Sequence, residues 1–143
     1  MDKSTKEKFL DLIRDMKNAS DVLGAAIITR DGLLFVSDLP EDINTEIFAA
    51  MSATMFGAAE TATLELKKSP VERVITEGEE IKLISTSAGE NAMLVSMVSN
   101  DSDLGLILME MEKTANLVQD MMSTKKISLA NIENTDKSSG SFP

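Results

Sequence analysis

The sequence predicts an α+β domain with a five-stranded antiparallel sheet, one long helix on one face and the N- and C-terminal helices on the other. Five short apolar segments are separated mainly by tight turns, and strands joined by hairpins form antiparallel sheets. Three further segments show helical spacing of apolar residues, so three helices are available to cover the two faces. The predicted order of elements is α-β-β-α-β-β-β-α.

The N-terminal part of the chain predicts a helix followed by a β-hairpin. Residues 4–18 place four apolar side chains on one helical face, namely Phe9, Leu12, Ile13 and Met16. Residues 22–29 form a continuous apolar run typical of a buried strand. Asp31-Gly32 follows, a strong hairpin signal because glycine adopts a positive φ at little cost. Residues 33–37 are the predicted returning strand.

A long helix is predicted next, over residues 43–67, and Pro70 lies just beyond its end. Three short strands follow, at residues 71–76, 81–87 and 92–99, and Met93, Val95 and Met97 share one face of the last.

Side-chain oxygens at residues 100–103 can cap a closing helix, whose apolar seam begins at Leu104 and fades after about Lys125. We therefore expect a domain at residues 1–125 and a disordered polar tail at residues 126–143.

Composition excludes several classes of protein. The 143 residues are 43% hydrophobic and 27% charged, as in a soluble globular domain, and the net charge of −10 disfavours nucleic acid and anionic membranes as partners. Histidine and cysteine are absent, which removes the commonest general base and the usual zinc ligands. No secretory signal pattern is recognisable. We expect a cytoplasmic protein that is not an enzyme, with no catalytic residues, metal, cofactor or membrane insertion.

The segment 48–63 is unusual because it is rich in small residues and carries a single charge, Glu60. A membrane span would need about 20 apolar residues, more than the stretch between Glu46 and Glu60 offers. Two alternatives remain, a helix buried within its own domain and a helix that packs on its sheet with one face and on a partner with another. We favour the partner-bound helix.

On a helical wheel this helix shows two rows of residues. The row assigned to the sheet is Phe48, Met51, Met55, Ala62 and Leu66. The neighbouring row contains only small residues, Ala50, Thr54, Gly57 and Thr61, and Phe56 lies in neither row. Because one sheet covers one side of a helix, we expect the small-residue row and Phe56 to be exposed in a monomer and to contact a partner.

Three motifs in this order resemble the roadblock family, which includes dynein light chains and the bacterial gliding-motility GTPase regulator. They are the hairpin at residues 24–32, the Ala-rich helix from Phe48 onward, and the strand-to-helix passage at residues 102–107. The similarity extends over roughly residues 6–122. It implies the profilin-like, roadblock-type sheet with helices described above.

The resemblance also implies a homodimer, in which the third strands pair edge to edge and the two middle helices lie side by side. Such pairing would cover an otherwise open sheet edge. Together with the wheel, it predicts a dimer interface of Ala50, Thr54, Phe56, Gly57, Thr61, Val71, Glu72, Arg73, Val74 and Ile75.

Members of the family regulate, scaffold or localise Ras-like small GTPases, or serve as adaptor subunits. The leading hypothesis is therefore a homodimer that binds a Ras-like GTPase and modulates its GTP hydrolysis or localisation. The alternative is a structural adaptor of a motility or trafficking complex that ignores the nucleotide state. A ligand-sensing domain of profilin-like or PAS-like type is disfavoured, because five Phe without Tyr or Trp offer little to line an apolar pocket.

Arg30 and Arg73 are the two candidates for an arginine finger, a side chain that would enter the active site of a GTPase. Arg30 stands at a tight turn, where we expect a solvated side chain. Arg73 lies in the predicted edge strand, where we expect an ion pair with Glu72 across the dimer. The family resemblance carries no arginine finger over to this chain, and no phosphate-binding P-loop is present.

Overall fold

The structure, a computed structural model, describes residues 4–67 and 69–140, with side chains described for residues 4–66 and 69–123. Within these residues the elements follow the predicted order. They are α1 (Thr5–Ala19), β1 (Val22–Thr29), β2 (Leu34–Asp38), α2 (Thr45–Lys67), β3 (Arg73–Glu77), β4 (Ile81–Ser87), β5 (Ala92–Ser99) and α3 (Leu104–Gly140).

The five strands form one antiparallel sheet in the order β2-β1-β5-β4-β3. The central strands β1 and β5 are buried over most of their length, which explains their nearly continuous apolar sequences. The short strands β2 and β3 are the two edges. The predicted fold class is confirmed.

The turn between β1 and β2 depends on Gly32, whose φ of 91° is unfavourable for residues with a side chain. Its N–H donates to the Thr29 carbonyl at 3.0 Å, and the Thr29 N–H donates to the Leu33 carbonyl at 2.8 Å. A Cβ at position 32 would lie 3.2 Å from the Ala50 Cα, so this turn also packs against α2. The predicted hairpin is confirmed.

Alternate residues of the sheet face two separate cores, one on each side. In β1, Ala25 and Ile27 face α1 and α3, whereas Ala26 and Ile28 face α2. The α1/α3 core is the larger of the two, and it includes an edge-to-face contact between Phe9 and Phe35 with ring centroids 5.1 Å apart. The predicted allocation of helices, α2 on one face and α1 with α3 on the other, is confirmed.

Polar side chains cap the start of each helix. The Ser4 Oγ accepts from the Glu7 N–H at 3.2 Å, the Asn44 Oδ1 from the Ile47 N–H at 3.0 Å, and the Asp103 Oδ1 from the Leu106 N–H at 3.1 Å. The predicted cap within residues 100–103 is therefore Asp103.

The closing helix extends further than the sequence pattern predicts. The backbone of α3 stays helical to Gly140, which differs from the disordered tail expected over residues 126–143. Once a helix is nucleated, each added residue gains a backbone hydrogen bond, so extension needs no apolar seam. The last three residues of the predicted tail, 141–143, lie outside the described residues.

Candidate interaction surface

Phe56 is the residue that fixes how α2 sits on the sheet. Its side chain is only 1% exposed and packs in the α2 core with Ala49, Met93 and Val95. The prediction that Phe56 is exposed in a monomer and contacts a partner is therefore wrong.

The row assigned to the sheet is wrong for the same reason. Met51 is 54% exposed and Leu66 is 81% exposed, although Phe48 does pack partly against the α2 core. The helix is turned by about one residue, or about 100°, so that the row through Ala49 and Phe56 faces the sheet. Small side chains in this row let the helix approach closely while Phe56 fills the remaining space.

The opposite side of α2 is exposed along its length. We call it the outer face of α2, and it consists of Ile47, Met51, Thr54, Ala58 and Thr61, spaced four and three residues apart. All five are exposed, and Ile47 reaches 60%. Its first residues, Ile47 and Met51, are large and apolar, and the later ones are small. None of the five is charged.

Two members of the predicted small-residue row, Thr54 and Thr61, belong to the outer face of α2. Their hydroxyls donate to helix carbonyls one turn back, at 2.8 and 3.1 Å, so the residues present mainly methyl groups outward. Ala50 is half-buried beside the turn at Gly32. A Cβ at Gly57 would meet nothing within 4 Å, so close packing within the protomer does not explain this glycine.

Arg30 forms the main polar cluster on this side of the sheet. Its Nη1 donates to the Glu60 Oε1 at 2.7 Å, and its Nη2 donates to the Ser87 Oγ at 2.8 Å and to the Gly89 carbonyl at 3.2 Å. The guanidinium also stacks over the Phe56 ring, 4.8 Å from its centroid. One side chain thus ties the β1–β2 turn to α2 and to the β4–β5 turn.

This cluster lines a surface cleft of about 380 Å³ that also borders Gly57 and Glu90. The expectation that Arg30 is a solvated turn residue is wrong, because its Nη1 and Nη2 atoms donate to three acceptors of its own chain. Sequence spacing could not reveal this contact, since Arg30 and Glu60 are 30 residues apart.

The strand β3 presents the second open feature, because it pairs with β4 on one side and is a sheet edge on the other. Val74 packs partly against the α2 core, and Val71, just before the strand, does the same. Ile75 is on the opposite face and is 39% exposed. The predicted interface residues 71–75 therefore lie along this edge, with Val71 and Glu72 outside the strand itself.

Arg73 stands at the start of β3 beside a cleft of about 300 Å³ that α3 borders with Glu112 and Asn116. Its Nε is buried and has no hydrogen-bond partner in the described part of the chain. The hydroxyl of Thr86, directly across from Arg73 in β4, is also buried and unpartnered. Unpaired buried polar groups are unfavourable, and both of these residues line the cleft beside α3.

The middle of α2 and the edge strand β3 are neighbours in space. The Thr76 hydroxyl of β3 lies 3.9 Å from the Met55 sulfur of α2, which sets the middle of the helix beside this edge. A molecule that pairs with β3 would therefore also lie beside α2.

Other kinds of site receive little support from the described residues. No group of three or more acidic, histidine or cysteine side chains there could hold a metal ion. By length and composition alone, Thr45–Leu66 could cross a membrane. Ala49 and Phe56 of this helix are buried against the sheet, and the other side of the helix is exposed.

An open sheet edge beside an exposed, uncharged helix face is characteristic of a domain that binds other proteins. The family model of the Roadblock/LC7 domain matches residues 8–97. An uncharacterised protein of Methanocaldococcus jannaschii is 32% identical over 110 residues, which is 77% of this chain and 92% of that protein. The chain belongs to the Roadblock/LC7 family, as its motifs predict.

Solved structures agree on the fold. MglB of Myxococcus xanthus superposes with a TM-score of 0.80 and 18% identity, covering 87% of this chain and 94% of that one. Profilin II of Acanthamoeba castellanii matches with a TM-score of 0.57 and 18% identity, over 79% of this chain and 95% of the profilin. The fold is thus profilin-like and of the roadblock type.

Proposed function

We propose that this protein is a homodimeric regulator or scaffold that binds a Ras-like small GTPase and modulates its GTP hydrolysis or its localisation. Membership of the Roadblock/LC7 family supports the class of function. The observation that carries the proposal is the pair of open surfaces, the outer face of α2 and the edge of β3.

The dimer would form through both surfaces together. Pairing of two β3 strands satisfies free backbone groups, and the small residues of the outer face of α2 let two helices approach closely. The proposed interface keeps Ala50, Thr54, Gly57, Thr61 and residues 71–75, omits the buried Phe56, and adds Ile47, Met51 and Ala58.

An effect on GTP hydrolysis would come from repositioning the GTPase's own residues. Arg30 supports this view, because its guanidinium is already bound to Glu60, Ser87 and Gly89 and would have to break three hydrogen bonds to enter another active site. Arg73 lies at the edge that dimer formation would cover.

The test is single-turnover GTP hydrolysis by the Ras-like GTPase encoded nearest this gene, with and without the protein, together with binding to its GTP and GDP forms. We expect the protein to bind the GTP form preferentially. Binding should either accelerate GTP hydrolysis or recruit the GTPase without changing the rate of hydrolysis. Equal binding of both forms without a change in rate would establish the structural adaptor instead. No binding in either form would contradict the proposal.

The absence of an arginine finger is tested separately with Arg14→Ala and Arg73→Ala. Arg14 is exposed on α1 and serves as the matched control for Arg73. We expect stimulation of hydrolysis to persist in both variants at concentrations where they are dimeric. Loss of stimulation in Arg73→Ala but not in Arg14→Ala, with GTPase binding unchanged, would show that Arg73 acts directly.

A cytoplasmic location is part of the proposal. The net charge of −10 and the burial of one face of α2 against the sheet both support a protein that stays in water. Fractionation of cells that express the protein should recover it with the soluble proteins, and recovery in washed membranes would contradict this.

A further inference from the structure

We propose that the cleft of about 300 Å³ between the start of β3 and α3 binds a small α-amino acid in its zwitterionic form. Arg73 and Thr86 bind the carboxylate of this ligand, and Glu112 and Asn116 bind its ammonium group. The proposal goes beyond the function proposed above, because the site requires neither a GTPase nor a second copy of the chain.

Two buried polar atoms lie on the sheet side of this cleft. Thr86 is 6% exposed, and its hydroxyl has no hydrogen-bond partner among the described residues. The Nε of Arg73 is buried and unpartnered in the same way. Because both residues line the cleft, a molecule bound there can supply the acceptors that these groups lack.

The backbone pairing places these two side chains next to each other. The Glu72 carbonyl accepts from the Ser87 N–H at 3.1 Å, so the next pair, Arg73 and Thr86, face each other without backbone hydrogen bonds between them. In such pairs the Cα atoms are only about 4.5 Å apart and the side chains are closest. The Arg73 N–H and the Thr86 O–H thus form a pair of donors that one carboxylate can accept.

The opposite side of the cleft offers acceptors. Glu112 and Asn116 are four residues apart on α3, so they project from the same side of the helix, and both line the cleft. No ion pair joins Glu112 to Arg73 in the part of the chain that the structure describes. The Glu112 carboxylate and the Asn116 side-chain carbonyl can therefore accept from an ammonium group.

The size and charge of the cleft restrict the ligand further. Its volume is at the lower end of the roughly 300–1,000 Å³ of small-molecule sites, which favours a ligand with few atoms. Pro70, Val71 and Ala115 add apolar surface, which suits a short uncharged side chain. A phosphate or dicarboxylate would be repelled by Glu112 and a diamine by Arg73, whereas a zwitterion matches both charges.

The scarcity of aromatic residues does not oppose this site. That scarcity disfavours an apolar ligand pocket, and the groups that would hold the ligand here are polar. A zwitterion also carries no net charge, so the net charge of −10 of the chain does not repel it.

The test is a titration of the isotope-labelled full chain with L-valine, followed by NMR. We expect saturable shifts at Arg73, Thr86 and the side-chain amide of Asn116, with a Kd on the order of 0.1 mM. Isovalerate is valine without its amino group, and isobutylamine is valine without its carboxylate. Each should bind about tenfold more weakly or worse, because one end of the cleft then has no partner.

Two variants separate the ends of the site. Arg73→Gln should weaken L-valine binding about tenfold or more and leave isobutylamine binding unchanged. Glu112→Gln should weaken L-valine binding similarly, and isovalerate should bind to it at least as well as to the original. Arg14→Gln and Glu65→Gln make the same changes at exposed positions of α1 and α2, and as matched controls they should leave the Kd unchanged.

Thr86→Val keeps the volume of the side chain and removes its hydroxyl, so it should weaken L-valine binding about fivefold. If this variant fails to fold, Glu112→Gln decides, because Glu112 is exposed on α3. Absence of saturable shifts up to about 10 mM L-valine, a hundred times the expected Kd, would overturn the site. Isovalerate or isobutylamine binding as tightly as L-valine would overturn its zwitterion selectivity, and shifts centred on the cleft beside Arg30 would overturn its position.

Discussion

Replacing Phe56 by alanine tests how α2 is seated on the sheet. The side chain is 1% exposed, and truncation of a buried Phe costs about 3–5 kcal/mol through lost transfer energy and the cavity left behind. Loss of the Arg30 guanidinium stacked 4.8 Å above the ring adds about 1 kcal/mol. We expect the free energy of unfolding to fall by about 4–6 kcal/mol, a large part of the roughly 5–15 kcal/mol of a typical domain.

The assay is urea unfolding followed by circular dichroism at several protein concentrations. A core residue weakens the protomer itself, so the loss should be the same at every concentration, including those where the protein is monomeric. Met51→Ala, at a 54% exposed position of the same helix, is the control and should change monomer stability by less than about 0.5 kcal/mol. If the Phe56→Ala loss disappears in the monomer, Phe56 is an interface residue and the described seating of α2 is refuted.

Three further outcomes are expected. Ala58→Arg, in the middle of the outer face of α2, should raise the dimer dissociation constant more than tenfold with unfolding of the monomer unchanged, whereas an unaffected dimer would place the interface elsewhere. Arg30→Gln should lower the free energy of unfolding by about 2 kcal/mol, and Glu60→Gln, which keeps an acceptor oxygen but removes its charge, by less; equal stability of Arg30→Gln and the original in urea unfolding would contradict the cluster. Gly32→Ala should cost about 1–2 kcal/mol by the same assay because of the φ of 91°, and an unchanged midpoint would show that the turn relaxes freely.

The order of elements could be predicted from the sequence because local signals specify it. The Asp31-Gly32 turn, the cap at Asp103 and the shared face of Met93 and Val95 all lie where the pattern predicts. Each signal depends on residues close together in the chain, and each agrees with the layers that three helices and one sheet can form.

The rotation of α2 about its axis could not be predicted in the same way. A charged face normally shows which side of an amphipathic helix is exposed, and α2 has no such face. Met51 and Phe56, on different sides of the helix, are therefore both apolar candidates for the core. Phe56 prevails through contacts with Arg30 and Met93, which are distant in the chain. The ion pair of Arg30 is unpredictable for the same reason, because nothing near Arg30 in the sequence indicates Glu60 as its partner.

The open surfaces were predicted in part. The wheel placed Thr54 and Thr61 in an accessible row, and both are exposed, but it assigned Met51 to the sheet and overlooked Ile47 and Ala58. That the edge of β3 lies beside α2 is visible only in three dimensions, through the approach of Thr76 to Met55.

The most direct test of the account is the mass of the protein in solution, measured by sedimentation equilibrium from low to high micromolar concentration. If the outer face of α2 and the edge of β3 bind a second copy, the mass reaches twice the chain mass of 15.5 kDa. Ala58→Arg should lower it towards the monomer. A mass that stays at 15.5 kDa at every concentration would contradict the homodimer on which the account depends.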